Sequence, residues 1–185
     1  MITGKTDIEL WEAFRLKDRQ AFAALFKRYY EPLFQFGLKF TQDTQILEDC
    51  IQELFLELWT SNSRTEVRSV KAYLCKSLRY KLFRALSRQS RLDGHADAEN
   101  LQFTMSQESQ LIIAEEDKEN RDRILKAYSR LTDRQREIIY LKYFQEMSYE
   151  EVSEVMSINY QASRNLLSMA IKSLRKLLGS ILLLF

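Results

Sequence analysis

The scarcity of chain-breaking residues is the feature that most limits how this sequence can fold. It contains only four glycines and one proline in 185 residues, whereas sandwiches and barrels need frequent tight turns made from such residues. Long helices need few turns of this kind. The sequence therefore predicts an all-α fold, of a length that suits one medium domain or two small ones.

Apolar spacing and charge divide the chain into three parts. Two long parts carry apolar side chains at the three-to-four-residue spacing of amphipathic helices. Between them, eight carboxylates and a single lysine, Lys118, fall in the stretch from Asp93 to Glu119, a composition that buries little apolar surface. We therefore expect two small helical domains joined by an acidic linker, with residues 1–92, 93–118 and 119–185 forming the first domain, the linker and the second domain.

Local signals place some helix boundaries in the first domain. Asp7 is predicted to cap the first helix, and Pro32 is expected to kink or divide the helix that contains it. A polar run over residues 60–65 indicates a loop between two further helices, which are predicted over residues 44–59 and 69–91.

The helix starts of the second domain carry stronger signals. Thr132 with Gln135, and Ser148 with Glu151, have the three-residue spacing of a capping box, in which side chain and backbone satisfy each other reciprocally. These pairs predict helix starts near residues 133 and 149. Asn159 is the expected cap of the next helix.

The second domain contains a predicted helix-turn-helix. A helix from Tyr149 to about Met156, a short turn and a helix from Tyr160 to about Leu178 match this motif, whose second helix enters the DNA major groove. Arginine and glutamine can contact guanine and adenine edges, and lysine can reach phosphates. The predicted DNA contacts are Tyr160, Gln161, Ser163, Arg164 and Lys172. The alternative is a plain helical hairpin.

Charge reverses inside the first domain. Residues 41–63 contain five acids and no lysine or arginine, whereas residues 64–92 contain nine basic residues and one acid. A basic helix with interspersed rings suits a nucleic-acid strand, because charge holds the backbone and rings stack on unpaired bases at about 1–3 kcal/mol each. The rings concerned are those of Tyr73, Tyr80 and Phe83. The alternatives are core packing for the rings and a solvated face for the charges.

The acidic helix of the first domain has two unlike faces. Apolar residues line one face, whereas Asp49, Gln52, Glu53 and Leu56 share the other. A leucine on an otherwise polar face indicates a docking surface, and a solvated outer face is the alternative reading.

The sequence lacks the residue sets that catalysis or metal binding would need. His95 is the single histidine and lies in the predicted linker, and no Gly-rich phosphate loop occurs. Cys50 and Cys75 form no CxxC pair and are expected to be small buried apolar residues. We expect no enzyme activity, no cofactor and no metal.

Targeting signals are also missing from the sequence. No run approaches the roughly 20 apolar residues of a membrane helix, and the N-terminus has no signal-peptide pattern. We therefore expect a cytoplasmic protein with no membrane span. The apolar residues 180–185 are expected either to finish the last helix or to touch a partner.

The acidic helix resembles a known polymerase-binding element. Residues 46–59 carry Glu-Asp, then Gln-Glu, an aromatic residue and a closing Trp. This pattern is similar to the helix by which sigma-70-type factors, especially the small extracytoplasmic function (ECF) ones, grip the clamp helices of the polymerase β′ subunit. The resemblance implies that Asp49, Gln52, Glu53 and Leu56 bind RNA polymerase.

The basic helix extends the resemblance. Residues 70–81 are similar to the family's helix that reads and opens the minus-ten promoter element, and the polar loop before them matches the place where a flipped-out base is held. Tyr80 stands where the family often has Asn, and Arg84 stands near a family Asp. These departures leave the preferred minus-ten sequence open. The implied minus-ten contacts are Ser61, Asn62, Arg64, Arg68, Lys71, Lys76, Arg79 and Tyr80.

The second domain resembles the minus-35-reading part of the same family. Residues 131–137 look like its "L-P-x-R-Q-R-E" opening, with Thr132 replacing proline, and residues 148–167 look like its helix-turn-helix. Glu146 replaces a usual glycine. Met169 replaces a frequent arginine, which removes one expected phosphate contact.

The resemblance implies an RNA polymerase sigma factor of ECF type, which directs core polymerase to promoters. Its implied partners are core polymerase, through the β′ clamp helices and the β flap, promoter DNA and an anti-sigma factor. A stand-alone helix-turn-helix repressor or activator is the first alternative. A helical adaptor that binds no DNA is the second.

Overall fold

The computed structural model describes residues 4–61, 66–92, 102–104 and 118–182. Within these ranges the regular structure is helical and includes no strand, which confirms the predicted all-α class. The chain divides into two compact units, residues 1–101 and 102–185, and each unit is described by itself. The domain and linker limits predicted from the sequence remain predictions.

The first unit packs its helices around one apolar core. These are α1 (Asp7–Arg15), α2 (Arg19–Gly37), α3 (Thr44–Thr60) and α4 (Val70–Leu92). Burying a leucine or isoleucine contributes about 1.5–3 kcal/mol, so shared burial outweighs the propensity of any single helix. All four helices contribute to the core, including Leu10, Leu33, Phe36, Leu47, Ile51, Leu74, Leu78 and Leu82.

The start of α1 differs from the sequence expectation. Thr6, not Asp7, is the cap, and it forms a capping box with Glu9. Asp7 is the first helical residue, and its carboxylate accepts hydrogen bonds from Arg28 at 2.5 Å and from the Tyr29 hydroxyl. Burial, followed by the hydrogen bond to Asp7, raises the pKa of Tyr29. The prediction of Asp7 as a cap is therefore wrong because its carboxylate binds α2 instead.

Helix α2 continues as one helix through Pro32 and ends against α3. The predicted division is therefore absent, and the alternative of a kink at Pro32 stays a prediction. The last residue of α2, Gly37, is buried where the two helices approach closely. A β-carbon at this position would lie 2.1 Å from the Cδ1 atom of Leu47, which is far inside van der Waals contact.

The second unit contains α5 (Lys118–Ser129), α6 (Asp133–Ile139), α7 (Tyr149–Met156) and α8 (Tyr160–Leu182). A π-helical turn, Tyr140–Phe144, continues α6. The buried residues that hold this unit together include Ala127, Leu131, Ile138, Leu141, Met147, Val152, Val155, Met156 and Ala170.

Both predicted capping boxes are confirmed. The Gln135 N–H donates to the Thr132 hydroxyl at 3.3 Å, and the Thr132 N–H donates to the Gln135 side chain at 3.1 Å. The Ser148 and Glu151 pair repeats this pattern at 3.2 and 2.7 Å. Helices α6 and α7 therefore start at Asp133 and Tyr149, as the sequence predicts.

Phe103 belongs to the core of the second unit although it falls inside the predicted linker. Its ring is 0% exposed and lies 5.6 Å from the ring of Tyr140. Its N–H donates to Asp133 at 2.7 Å, and its carbonyl accepts from Arg136 Nε at 2.7 Å. Asp133 and Arg136 are themselves paired at 2.5 Å. This short segment is thus held by both the backbone and the side chain of Phe103.

Candidate docking and nucleic-acid interfaces

The outer face of α3 presents the four residues of the predicted polymerase-binding set together. Positions 49, 52, 53 and 56 are spaced so that they share one side of a helix, and all four are exposed. Leu56 is 61% exposed, although leucine is usually buried. We define this surface, Asp49, Gln52, Glu53 and Leu56, as the docking face.

The side of α3 opposite the docking face is buried in the core of the first unit. Leu47, Ile51, Leu54 and Phe55 are buried there. Cys50 is buried beside them, and burial raises the pKa of its thiol, which disfavours the reactive thiolate. Since the inner face is fixed in this way, the orientation of the docking face is set by core packing.

A lysine of α4 joins the docking face to the basic helix. The Nζ atom of Lys81 lies 3.1 Å from Glu53 and 2.7 Å from Glu57, and the Lys81 side chain is only 12% exposed. In the sequence, Lys81 is one of several basic residues of its helix. The pairing joins positions on different helices, and no local spacing in the sequence signals it.

The exposed side of α4 carries a cationic stripe. Lys76, Tyr80, Arg84 and Arg88 follow one another at four-residue intervals and are all exposed. Tyr80 is 61% exposed, and the Arg84 guanidinium lies 5.7 Å from the centroid of its ring. A ring flanked by cations is the arrangement that can stack on a base while charge holds the phosphates.

The other residues of the predicted minus-ten set are distributed around this stripe. Ser61 and Arg68 are exposed, whereas Lys71 and Arg79 are half-buried. Asn62 and Arg64 lie outside the described residues.

The remaining rings of α4 are less available than Tyr80. Tyr73 packs edge-on against Trp11 at 5.2 Å, and Phe83 is half-buried. Core packing, the alternative weighed for these rings, therefore accounts for Tyr73.

Lys17 lies at the end of α3, close to Ser61. Its ammonium donates to the carbonyl of Trp59 at 2.5 Å and to the carbonyl of Ser61 at 2.9 Å. It also lies 5.5 Å from the centroid of the Trp59 ring. The sequence carries no signal for this contact, because Lys17 and Ser61 are 44 positions apart.

The predicted helix-turn-helix is present in the second unit. Helix α7 is followed by its C-cap residue, Ser157, which adopts the left-handed conformation with φ of 53°. Asn159 then accepts from the Ala162 N–H at 2.7 Å and caps α8 as predicted.

The first turns of α8 expose most of the predicted minus-35 set. Tyr160, Gln161 and Arg164 are exposed, as is Lys172 further along. The Tyr160 ring lies edge-on to Tyr149 at 5.8 Å, and Arg164 lies 5.9 Å from the centroid of the Tyr160 ring. The Gln161 side chain donates to Asn165 at 3.0 Å.

Ser163 is placed differently from the rest of that set. It is 0% exposed, its hydroxyl donates to the Tyr160 carbonyl at 2.7 Å, and it lies 3.1 Å from the Ser153 hydroxyl of α7. A side chain held between the two helices does not reach a base edge. Ser163 therefore packs the motif together, and we leave it out of the DNA-contacting residues.

A groove of about 530 Å³ runs beside α8. Arg164, Lys172 and Arg175 supply three cations to its walls. Their positive charge extends along α8 and suits contacts with phosphate groups. The remaining lining residues are Tyr143, Tyr149, Leu167, Ser168 and Ile171.

Among the residues that the structure describes, no cluster of three or more histidine, cysteine, aspartate or glutamate residues is arranged to hold a metal ion. No helix in the described part of the chain has the length and apolar character needed to cross a membrane.

Comparison with protein families matches both units. The family description "Sigma-70 region 2" matches residues 25–92, and "Sigma-70, region 4" matches residues 121–174. Together these matches cover more than half of the chain, and they fall on the unit with the docking face and on the unit with the helix-turn-helix. The chain therefore belongs to the sigma-70 family of RNA polymerase sigma factors.

Relatives and solved structures agree with that assignment. The "ECF RNA polymerase sigma factor SigK" of Mycobacterium sp. strain KMS is 25% identical over 181 residues, which covers 88% of this chain and 86% of SigK. SigK of Mycobacterium tuberculosis strain CDC 1551 / Oshkosh is 26% identical, and 87% of each chain is covered. Together with the family match, these relatives identify the chain as a sigma factor of the ECF type.

Two solved structures share the fold. CnrH, in complex with the cytosolic domain of CnrY, has a TM-score of 0.62 and 21% identity, over 94% of this chain and 97% of CnrH. The sigma factor RpoE of Bartonella quintana, in complex with the anti-sigma factor NepR, has a TM-score of 0.59 and 21% identity. That match covers 85% of this chain and 96% of RpoE.

Proposed function

We propose that this ECF-type sigma factor recruits core RNA polymerase through the docking face of α3 and directs it to promoters. The α4 stripe would capture the opened minus-ten strand, and α8 would read the minus-35 duplex. The polymerase would perform the chemistry, and the sigma factor would act in the cytoplasm as a non-enzymatic subunit.

The docking face is the observation that carries the proposal. A 61% exposed leucine beside two carboxylates and an amide gives a binding partner both apolar area and charge. It is placed on the same unit as the cationic stripe, so that polymerase binding and strand capture would be combined in one rigid body. We propose the β′ clamp helices as the partner of this face.

The minus-35 part of the proposal rests on α8. Gln161 and Arg164 are exposed at the start of the helix, where a helix-turn-helix presents its base-reading residues. Lys172 and the cationic groove lie further along, where phosphate contacts would add affinity without sequence information. Linking two weak binding units in one chain raises their effective concentration at the promoter.

An anti-sigma factor is a further proposed partner. CnrH is described in complex with the cytosolic domain of CnrY, and RpoE in complex with the anti-sigma factor NepR. By analogy we propose that a protein of this kind covers the surfaces described above, and that the β flap contacts the second unit in the polymerase complex.

The proposal is tested by transcription in vitro with core polymerase and a library of randomised promoters. RNA synthesis that depends on the chain is expected, with a common sequence at minus-35 and minus-ten in the selected templates. If core polymerase with the chain starts no RNA on any template, the proposal is refuted. A stand-alone repressor would instead shift duplex DNA in a gel without polymerase, with affinity that falls steeply with salt.

The role of the docking face is tested by the double substitution Asp49→Ala with Gln52→Ala. Polymerase pull-down should weaken about tenfold, which corresponds to a loss of about 1.4 kcal/mol of binding free energy over the two residues. Glu31→Ala with Gln42→Ala, which changes net charge equally but lies outside α3, is the matched control. Circular dichroism should show the same helicity for both variants, and full retention of pull-down by the first would remove this role.

A further inference from the structure

The turn between α1 and α2 has a lysine where helix ends usually have glycine. The Lys17 N–H donates to the Phe14 carbonyl at 2.8 Å, and the Asp18 N–H donates to the Ala13 carbonyl at 3.1 Å. This pair of hydrogen bonds ends a helix through one residue in the left-handed region, which glycine adopts without steric cost. Lys17 adopts it with φ of 65°, so its backbone is strained.

The Lys17 side chain gives a reason for that strained choice. The last carbonyls of a helix have no partner within the helix, and a cation near them is favourable. Helix α3 has no basic residue in its own last turn. The Lys17 ammonium supplies the missing cation by binding the carbonyls of Trp59 and Ser61.

Ser61 is consequently held from two directions. Its N–H donates to the Glu57 carbonyl at 2.8 Å, and its carbonyl accepts from Lys17 at 2.9 Å. The docking face ends with Leu56, just over one helical turn before this point. Lys17 thus fixes the backbone between the surface proposed for polymerase and the first residue proposed for minus-ten DNA.

We propose that Lys17 is a positioning residue for minus-ten strand capture, an inference that rests on the proposed function. By tying the end of α3 to the turn after α1, Lys17 holds the backbone at Ser61 in the orientation that the opened strand requires. Glycine would relax the turn itself but would remove this tie. The strained lysine therefore serves strand capture rather than the local stability of the turn.

The test compares Lys17→Gly, Lys17→Met and Lys17→Arg in the full-length chain with core polymerase. The template is a promoter selected by the wild-type protein in the transcription assay. Polymerase binding is measured by pull-down, and strand opening by permanganate reactivity of thymines in the minus-ten element. Lys27→Met, a charge-matched change at an exposed lysine of α2, is the control.

We expect the glycine and methionine variants to bind polymerase within about twofold of wild type but to open about tenfold fewer complexes, because charge-assisted hydrogen bonds are lost. Lys17→Arg should recover most of the opening, and Lys27→Met should behave as wild type. Wild-type opening by Lys17→Gly would overturn the inference. So would an equal loss of polymerase binding and opening, or a loss of helicity, since these mark a purely structural role.

Failure of the proposed function gives a separate result. In that case the wild-type protein itself would open no promoter with core polymerase, and the inference about Lys17 would fall with it. A wild-type protein that opens promoters, with a glycine variant equal to it, would overturn only the role of Lys17.

Discussion

The two units organise their candidate surfaces over very different distances along the chain. In the first unit, Lys17 reaches carbonyls 42 and 44 positions away, and Lys81 on α4 holds acids of α3. In the second unit, the helix-turn-helix is set by Asn159 capping a residue three positions on and by the Ser153–Ser163 contact over ten positions. The first surface depends on tertiary contacts and the second on local ones.

This difference explains which parts of the site could be read from the sequence. The starts of α6, α7 and α8 were predicted correctly because the capping signals and the helices they start are neighbours in the chain. The alternating faces of α3 were also readable, because periodicity is local. Lys17 and Lys81 could not be found in this way, since their partners are identified only once the helices pack.

Within the second unit, Phe103 is the exception to this pattern of local contacts. Its substitution is expected to give the largest effect. Phe103→Ala should destabilise this unit by about 3–5 kcal/mol, because the ring is completely buried and truncation leaves a cavity. Hydrogen exchange measured by mass spectrometry on the full chain should show faster exchange in α6, with α2 and α3 unchanged.

Gln102→Ala is the control for that experiment, since Gln102 is the exposed neighbour of Phe103. If Phe103→Ala exchanges like the control, residues 102–104 do not anchor the second unit, and local contacts suffice throughout it. The sequence predicts a linker at Phe103 because the surrounding acids outweigh the short alternation of Leu101, Phe103 and Met105 with polar residues.

The close approach of α2 and α3 gives the next largest effect, in the first unit. Alanine is favoured over glycine in a helix by about 1 kcal/mol, but the new β-carbon of Gly37→Ala would meet a Leu47 atom at 2.1 Å. Leu47 is 0% exposed, and overpacking a buried site costs about 1–3 kcal/mol. We therefore expect net destabilisation of the first unit by up to about 2 kcal/mol.

Gly179→Ala in α8 is the matched substitution, because no atom lies within 4 Å of its added β-carbon. It should leave stability unchanged or raise it by up to about 1 kcal/mol. Thermal and denaturant unfolding followed by circular dichroism would compare the two variants. A stabilising Gly37→Ala would show that the α2–α3 packing is loose, contrary to a first unit organised by tertiary fit.

The smallest predicted effect concerns a strained local backbone conformation in the second unit. Glu146, in the turn before α7, has φ of 53°, a conformation that costs a residue with a β-carbon about 1–2 kcal/mol. Glycine avoids that cost but loses about 0.5–1 kcal/mol through its freer unfolded chain. Glu146→Gly should therefore stabilise the second unit by about 0.5–1 kcal/mol, measured as slower hydrogen exchange in α7. Glu146→Ala keeps the β-carbon and should give no such gain, so equal stabilisation by both variants would trace the effect to the lost carboxylate and not to the backbone.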